Sequence, residues 1–258
     1  MPELIEIEYY REGMLPAIGR TITDVRPLDP RFIRNATSTE LLDATVSASI
    51  TDVRRHGKLL LADLSSGVVL GMRFGMTGRL ILDGQAPIEA LEYASKRDDS
   101  AWDRFGMDFA DGGHLAIRDQ RRLGNVELDP DTSQLGPEAK TITAKQLVGA
   151  LAGSRTSLKA RLMDQSRIAG LGNLLTDESL WRAGCSPVRT AGSLDGDEVK
   201  HLAKTIRSTV RLLTRRGGSH RGDIQDERGG GHCPRDGAEL TIAKVGSRTT
   251  VWCPEHQH

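Results

Sequence analysis

Hydrophobic positions along the 258-residue chain change their spacing once, and that change divides it. Up to residue 128 they come mostly as short runs broken by turn residues. Leu59–Leu64 and Val68–Met72 flank Ser65-Ser66-Gly67, and Met107–Ala110 and His114–Ile117 flank Asp111-Gly112-Gly113. Such pairs predict β-hairpins. The stretch Glu3–Ile18 is the exception, with a helical pattern that offers Leu4, Ile5, Leu15 and Ile18 to a core and ends at Gly19. Residues 129–142, DPDTSQLGPEAKTI, are polar and hold two prolines and a glycine, the mark of a boundary. Beyond them the spacing predicts helices over Ala144–Leu151, Ser157–Gln165, Leu174–Ala183 and Asp197–Arg215, the last stopped by Gly217 and Gly218. A glycine-rich strip centred on Gly229-Gly230-Gly231 then leads to a tail holding Cys233 and Cys253. The expected organisation is α+β and multidomain: a β-rich domain over 1–128 opened by one helix, a helical domain over 129–228 and a small metal-bound domain over 229–258. No internal repeat of 20–50 residues, the range of solenoid and propeller units, is visible.

Charge changes this picture only locally. Thirty-five basic residues balance thirty-five acidic ones, so a uniformly basic nucleic-acid binder is excluded, and any positive surface must come from sorting charge along the chain. The predicted last helix carries Lys200, Lys204, Arg207, Arg211, Arg215 and Arg216 with no acid from Val199 to Gly222. Spacings of four, three, four and four put the first five on one face. Alone, this stripe reads as a solvated face. Further islands lie at Arg54-Arg55-His56-Gly57-Lys58, at Arg118 with Arg121-Arg122, and at Arg155, Lys159 and Arg161. Together they suit a polyanion whose phosphates supply affinity without reading sequence. No apolar stretch reaches the roughly 20 residues of a membrane-spanning helix, so no membrane partner is expected. The acidic start lacks the order of a signal peptide. Of three cysteines, two fall at the very end, which favours a reducing cytoplasm and a local metal site over a disulfide framework.

The tail reads Cys233-Pro-Arg-Asp236, sixteen residues, then Cys253-Pro-Glu-His256. Two knuckles with matching spacing point to one structural zinc ion closed by a β-hairpin that turns at Gly246-Ser247, with Cys233, Asp236, Cys253 and His256 as ligands. His232 and His258 are spare donors, and Cys185 is expected to be a small packed residue.

Six segments in order resemble the formamidopyrimidine-DNA glycosylase/endonuclease VIII-like (Fpg/Nei) family: MPELIEIE at the start, HGK at 56–58, FGMTG at 74–78, RDQRRLG at 118–124, LKARLMDQSRIAGLGN at 158–173, and the tail ending in Cys253. The resemblance spans nearly the whole chain. It implies an N-terminal β-sandwich with a leading helix, a helix–two-turns–helix domain and a C-terminal β-hairpin zinc finger. It further implies a bifunctional glycosylase and abasic-site lyase of base-excision repair, acting as a monomer on damaged double-stranded DNA. In this family pattern Pro2, once Met1 is removed, is the nucleophile. A terminal secondary amine titrates near pH 8, far below a lysine, and its attack on the sugar C1′ gives a cationic iminium that drives elimination. Glu3 matches the general acid/base and Glu6 a supporting residue. Lys58 matches a strand lysine that reaches phosphate, and Arg248 the finger arginine that assists elimination. Met76, Arg121 and Leu123 match the side chains that fill the gap left by a flipped base. Lys159, Asn173 and the turn glycines Gly170 and Gly172 match the helix–two-turns–helix surface, whose opening N–H groups would hold a DNA phosphate. Each residue also has an ordinary reading: a helix-starting proline, an acid at a helix N-terminus, a solvated lysine, core methionine and leucine, a glycine turn.

The departures are specific. Ile5 stands in place of proline, Arg73 in place of histidine, Leu123 in place of phenylalanine, and Lys96-Arg97-Asp98-Asp99 where the family has K-H-D-H. The segment HRGDIQDERGGGH before Cys233 is short, where 8-oxoguanine-cleaving members carry a longer loop over the flipped base. Abasic-site lyase activity is therefore expected to be retained more firmly than 8-oxoguanine recognition. The alternatives are a non-catalytic binder of damaged or structured DNA with the same fold, and a zinc-containing RNA-binding protein, which leaves the N-terminus unexplained.

Overall fold

The computed structural model describes every residue except Met1, Leu28, Glu89, Ala90, Glu92, Tyr93, Ala94, Lys96 and Asp98. Two compact units result, one from Pro2 and Glu6–Thr132 and one from Glu3–Ile5 and Ser133–His258. The three residues after Pro2 thus belong with the C-terminal half.

The first unit contains most of helix α1 (Leu4–Met14), then β1 (Ile22–Arg26), β2 (Ile33–Arg34), α2 (Ser38–Thr45), β3 (Ile50–His56), β4 (Leu59–Leu64), β5 (Val69–Arg73), β6 (Arg79–Leu82), β7 (Asp103–Phe109), β8 (His114–Arg118) and β9 (Asn125–Leu128). One sheet has the order β1-β7-β8-β6 and the other β2-β9-β5-β4-β3. Both expected hairpins form, with Leu61 opposite Gly71 and Met107 opposite Leu115. Alternate residues of the two sheets, among them Leu60, Ala62, Leu70, Met72, Phe105, Met107, Leu115 and Ile117, share one core with Ile7, Tyr10 and Met14 of α1. Period-two alternation on both sheets is what makes this a sandwich.

The first helix is shorter than its apolar pattern predicts. The α-helix ends at Met14 and Leu15–Ala17 continues as a 3-10 turn containing Pro16, which has no N–H to donate. Leu15 and Ile18 are consequently 40% exposed and do not serve the core; Ile7, Tyr10, Met14 and Ala17 do.

The second unit holds α3 (Ala144–Leu151), α4 (Leu158–Met163), α5 (Asn173–Ala183), α6 (Gly196–Arg216), β10 (Thr241–Val245) and β11 (Arg248–Trp252). Thr143 and Asp195 close capping boxes with Gln146 and Glu198, so α3 and α6 start where their sequences say they should. On α6, Val199, Leu202, Ile206, Val210 and Leu213 are buried, while Lys200, Lys204, Arg211 and Arg215 are exposed. The half-buried Arg207 donates to the Ile142 carbonyl. β10 and β11 pair through the two-residue turn Gly246-Ser247, in which both φ angles are positive. This hairpin shares a core with α5: Trp181 packs with Ile224, Cys233, Leu240, Val251 and Cys253.

Lys159 departs from the sequence reading. It does not contribute to a basic surface, because its side chain is fully buried and its Nζ lies 2.6 Å from Asp177 Oδ1. Burial pushes the ammonium below its ordinary range and the Asp177 carboxyl above its own, and the pairing of the two opposes both shifts. Removing one partner of a buried pair leaves an uncompensated charge. Lys159→Ala is therefore expected to lose about 3–5 kcal/mol in urea unfolding, whereas Arg155→Ala, on an exposed position, should change stability by less than about 0.5 kcal/mol. Equal effects of the two would show that the Lys159 pair does not hold this unit together.

Candidate functional site

At the start of the chain, Pro2 is buried and Glu3 is completely so. The Glu3 carboxylate accepts hydrogen bonds from three backbone N–H groups at the head of α5: Gly172 (2.8 Å), Leu174 (2.8 Å) and Leu175 (3.1 Å). One residue on, the Leu4 N–H donates to the Gly170 carbonyl. A helix N-terminus presents unpaired N–H groups and partial positive charge, so a carboxylate is the natural occupant. These are the groups that the sequence reading offered to a DNA phosphate. The structure corrects this: the chain's own Glu3 takes them. Position 172 has to be glycine for the same reason, since a Cβ there would lie 2.3 Å from Glu3 Cδ.

The remaining expected residues are placed as follows. Glu6 is buried in the first turn of α1. Lys58 is half-buried in the two-residue turn between β3 and β4, rather than within a strand. Met76 lies in the turn after β5, with its Sδ accepting from Arg121 Nη1 at 3.4 Å, and Leu123 is 48% exposed nearby in the chain. Arg248 is exposed at the first position of β11. Asn173 opens α5 and donates through Nδ2 to the Thr249 carbonyl at 3.1 Å. Within 96–99, Lys96 and Asp98 lie outside the described residues; Arg97 pairs with Asp99, whose carboxylate caps the following 3-10 turn.

Sequence reasoning missed the group that holds Arg248's neighbour. The Thr249 carbonyl accepts from Lys159 Nζ (3.3 Å), Asn173 Nδ2 and Arg228 Nη2 (2.9 Å), and Arg228 also pairs with Asp177 at 2.7 Å. Asp177 is acidic on a helix that is buried nearly all round, and that mismatch was the available signal. The short segment before Cys233 is fixed on α5: the Ile224 N–H donates to Glu178, Asp223 pairs with Arg182 and Arg216, and Ile224 is fully buried.

Cys233, Asp236, Cys253 and His256 converge, each offering a donor atom within 4.8 Å of the others. The Cys233 Sγ–His256 Nδ1 and Cys253 Sγ–Asp236 separations are 3.6 and 3.4 Å. Zinc bonds of about 2.0–2.3 Å at tetrahedral angles put ligand atoms about 3.3–3.8 Å apart, so these edges fit. Supporting contacts fit as well. Cys233 Sγ accepts from Trp181 Nε1 and the Arg235 N–H, and His256 Nε2 faces the Trp181 carbonyl at 3.3 Å, as a ligand histidine's outer nitrogen does. The Ala238 N–H holds the Asp236 carboxyl well below its usual range, ready to ligate.

Residues 1–126 match the sequence profile of the formamidopyrimidine-DNA glycosylase N-terminal domain, and residues 135–223 that of the formamidopyrimidine-DNA glycosylase H2TH domain. The chain belongs to the formamidopyrimidine-DNA glycosylase family. The enzyme of that name from Rhodopseudomonas palustris (strain TIE-1) is 32% identical over 291 aligned positions, covering 100% of both chains. Its counterpart from Xanthomonas campestris pv. campestris (strain 8004) is 33% identical, covering 98% of each. Among solved structures, the complex of Lactococcus lactis Fpg with abasic-site DNA superposes with a TM-score of 0.82 at 27% identity, covering 99% of both chains. A complex of the same enzyme with Fapy-dG DNA gives 0.83 at 26% and the same coverage. The family fold is a β domain, a helical H2TH domain and a C-terminal β-hairpin, and all three are present here.

The Glu3 site yields a direct expectation. Gly172→Ala should push the carboxylate off its three donors and lower the thermal midpoint by several degrees, about what 1–2 kcal/mol gives in a chain of this size. Gly149→Ala is the control, because a Cβ there meets nothing within 4 Å. Equal midpoints for both variants would refute the steric argument.

Proposed function

We propose that the protein is a DNA glycosylase of base-excision repair that also cleaves the strand at abasic sites, with Pro2 as nucleophile. The observation that carries this reading is the Glu3 carboxylate, fixed by three N–H donors beside a proline that becomes the chain terminus once Met1 is removed. A buried, immobilised acid next to a secondary amine is an acid/base pair in waiting. Family membership and the solved relatives, which are complexes with abasic-site and Fapy-dG DNA, support damaged double-stranded DNA as partner.

The amine nitrogen attacks C1′ and the damaged base departs with the glycosidic bond pair. The proton that the attacking amine gives up passes through Glu3 to the ring oxygen as the C1′–O4′ bond breaks, leaving an iminium between Pro2 and C1′. That cation draws electrons when a C2′ proton is removed and the 3′ phosphate leaves. Lys58 and Arg248 would face phosphates. Met76, Arg121 and Leu123 would fill the gap left by the flipped nucleotide, and Asn173 and Glu6 would support binding. Lys159 acts from the interior in this reading, through Asp177 and the Thr249 carbonyl. Zinc held by Cys233, Asp236, Cys253 and His256 would take no part in bond breaking; it would fold the hairpin that carries Arg248.

Borohydride reduction of the protein with abasic duplex DNA should give one covalent adduct mapped to the N-terminal peptide, and Pro2→Gly or a retained N-terminal extension should abolish it. Abasic DNA is the proper substrate because it requires no recognition of a base. Binding without any adduct would favour the non-catalytic alternative.

Metal analysis should find one zinc per chain. Cys253→Ala should lose the metal together with DNA affinity, and Asp236→Ala should weaken metal retention to a smaller degree. A metal-free preparation that is folded and binds DNA normally would contradict the structural role.

A further inference from the structure

Asp119 is a fully buried acid at the start of the turn that bears Arg121 and Leu123. Its Oδ1 accepts from the Thr77 hydroxyl at 2.5 Å and the Arg121 N–H at 3.2 Å, and its Oδ2 accepts from the N–H groups of Leu123 and Gly124, both at 2.8 Å. Four donors from two separate turns, 74–78 and 119–124, therefore meet on one carboxylate. The turns also touch backbone to backbone. A Cβ on Gly75 would lie 2.5 Å from the Leu123 carbonyl carbon, and one on Gly124 would lie 2.4 Å from the Arg73 oxygen. Arg122 takes a left-handed φ of 54°, a conformation that needs such local hydrogen bonding to persist. From below, Tyr10 stacks on Phe74 at 4.6 Å and donates to the Gly78 carbonyl.

We propose that Asp119 is a positioning residue that locks the two turns into one rigid insert, so that Met76, Arg121 and Leu123 enter the duplex together and set the choice of opposite base. The inference deepens the proposed function and rests on it. Asp119 touches no reacting atom; its effect passes through the backbone of the residues it holds. The shape of the insert then depends on a carboxylate that accepts at both oxygens, which an amide of the same size cannot do. The wedge is needed wherever a nucleotide, with or without its base, must be turned out of a duplex and the gap opposite its partner base filled. Chemistry at C1′ on single-stranded DNA does not need it.

The test uses the full-length zinc-loaded protein and abasic sites placed opposite each of the four bases, together with a single-stranded abasic oligonucleotide. Asp119→Asn should lower kcat/KM on duplexes by about tenfold or more, the scale expected when a contacting group is misplaced by a fraction of an ångström. The spread of rates among opposite bases should shrink towards unity. Cleavage and borohydride trapping of the single-stranded oligonucleotide should stay close to wild type. Thr77→Val removes one donor, keeps the N–H groups, and should shift the spread the same way by a smaller factor; it carries the test if Asp119→Asn fails to fold. An unchanged spread, or equal losses on single and double strands, overturns the role of Asp119. An inactive wild type overturns the lyase reading instead, so the two failures are distinguishable.

Discussion

The carboxylate of Glu3 is the constraint on which the C-terminal unit's arrangement turns. Three N–H groups at the head of α5 cannot be satisfied by their own helix, and a buried carboxylate cannot be left without donors. Each need answers the other. The pairing binds residue 3 to residues 172–175 and makes Gly172 obligatory. It also explains why residues 3–5 belong to the unit formed by the second half of the chain. A reacting terminus gains most from being held still, because orientation lost before the reaction need not be lost during it. In the proposed reaction the acid beside the nucleophile would also be the structural anchor.

Much of this was legible beforehand, for identifiable reasons. Period-two runs around Ser65-Ser66-Gly67 and Asp111-Gly112-Gly113 gave hairpins because turn residues and alternation agreed. The helices from Ala144 to Arg216 were visible because caps and apolar faces coincided, as with Asp195 and Glu198 on α6. The convergence of Cys233, Asp236, Cys253 and His256 followed from the repeated spacing of the two knuckles. What failed was anything decided by partners distant in sequence. Lys159 reads as one more surface cation until Asp177 is found against it. The misplacing of Leu15 and Ile18 is of another kind and local, because Pro16 between them ends the helix early. The turn glycines pointed to an anion at the head of α5, read as a DNA phosphate; the anion there is the chain's own Glu3, against which Gly172 packs. Asp119 carries no signal of its own in the sequence, since its meaning lies in Thr77, forty-two residues away.

The neutral net charge acquires sense in this light. Acids are spent on holding structure: Asp177 on Lys159 and Arg228, Asp119 on backbone N–H groups, and Glu3 on the α5 terminus. The exposed cations of α6 keep an outward face of one sign, apart from Lys200 and Arg216, which pair with Asp197 and Asp223. Balanced composition and locally positive surface are compatible because several of the acids are buried.

The shared packing of the β10–β11 hairpin with Trp181 and Ile224 bears on how the C-terminal unit comes apart. A finger joined only by a linker would open by itself, with amide exchange fast in the hairpin and slow in the helices. Here the Thr249 carbonyl is gripped from α4, α5 and the 219–228 segment, and Trp181 donates to the Cys233 thiol. Opening the hairpin must strip donors from the helical core at the same moment. Hairpin and helices then form a single cooperative folding unit, and a disturbance at the Cys233–Asp236–Cys253–His256 cluster is felt as far as the residues that cradle Glu3.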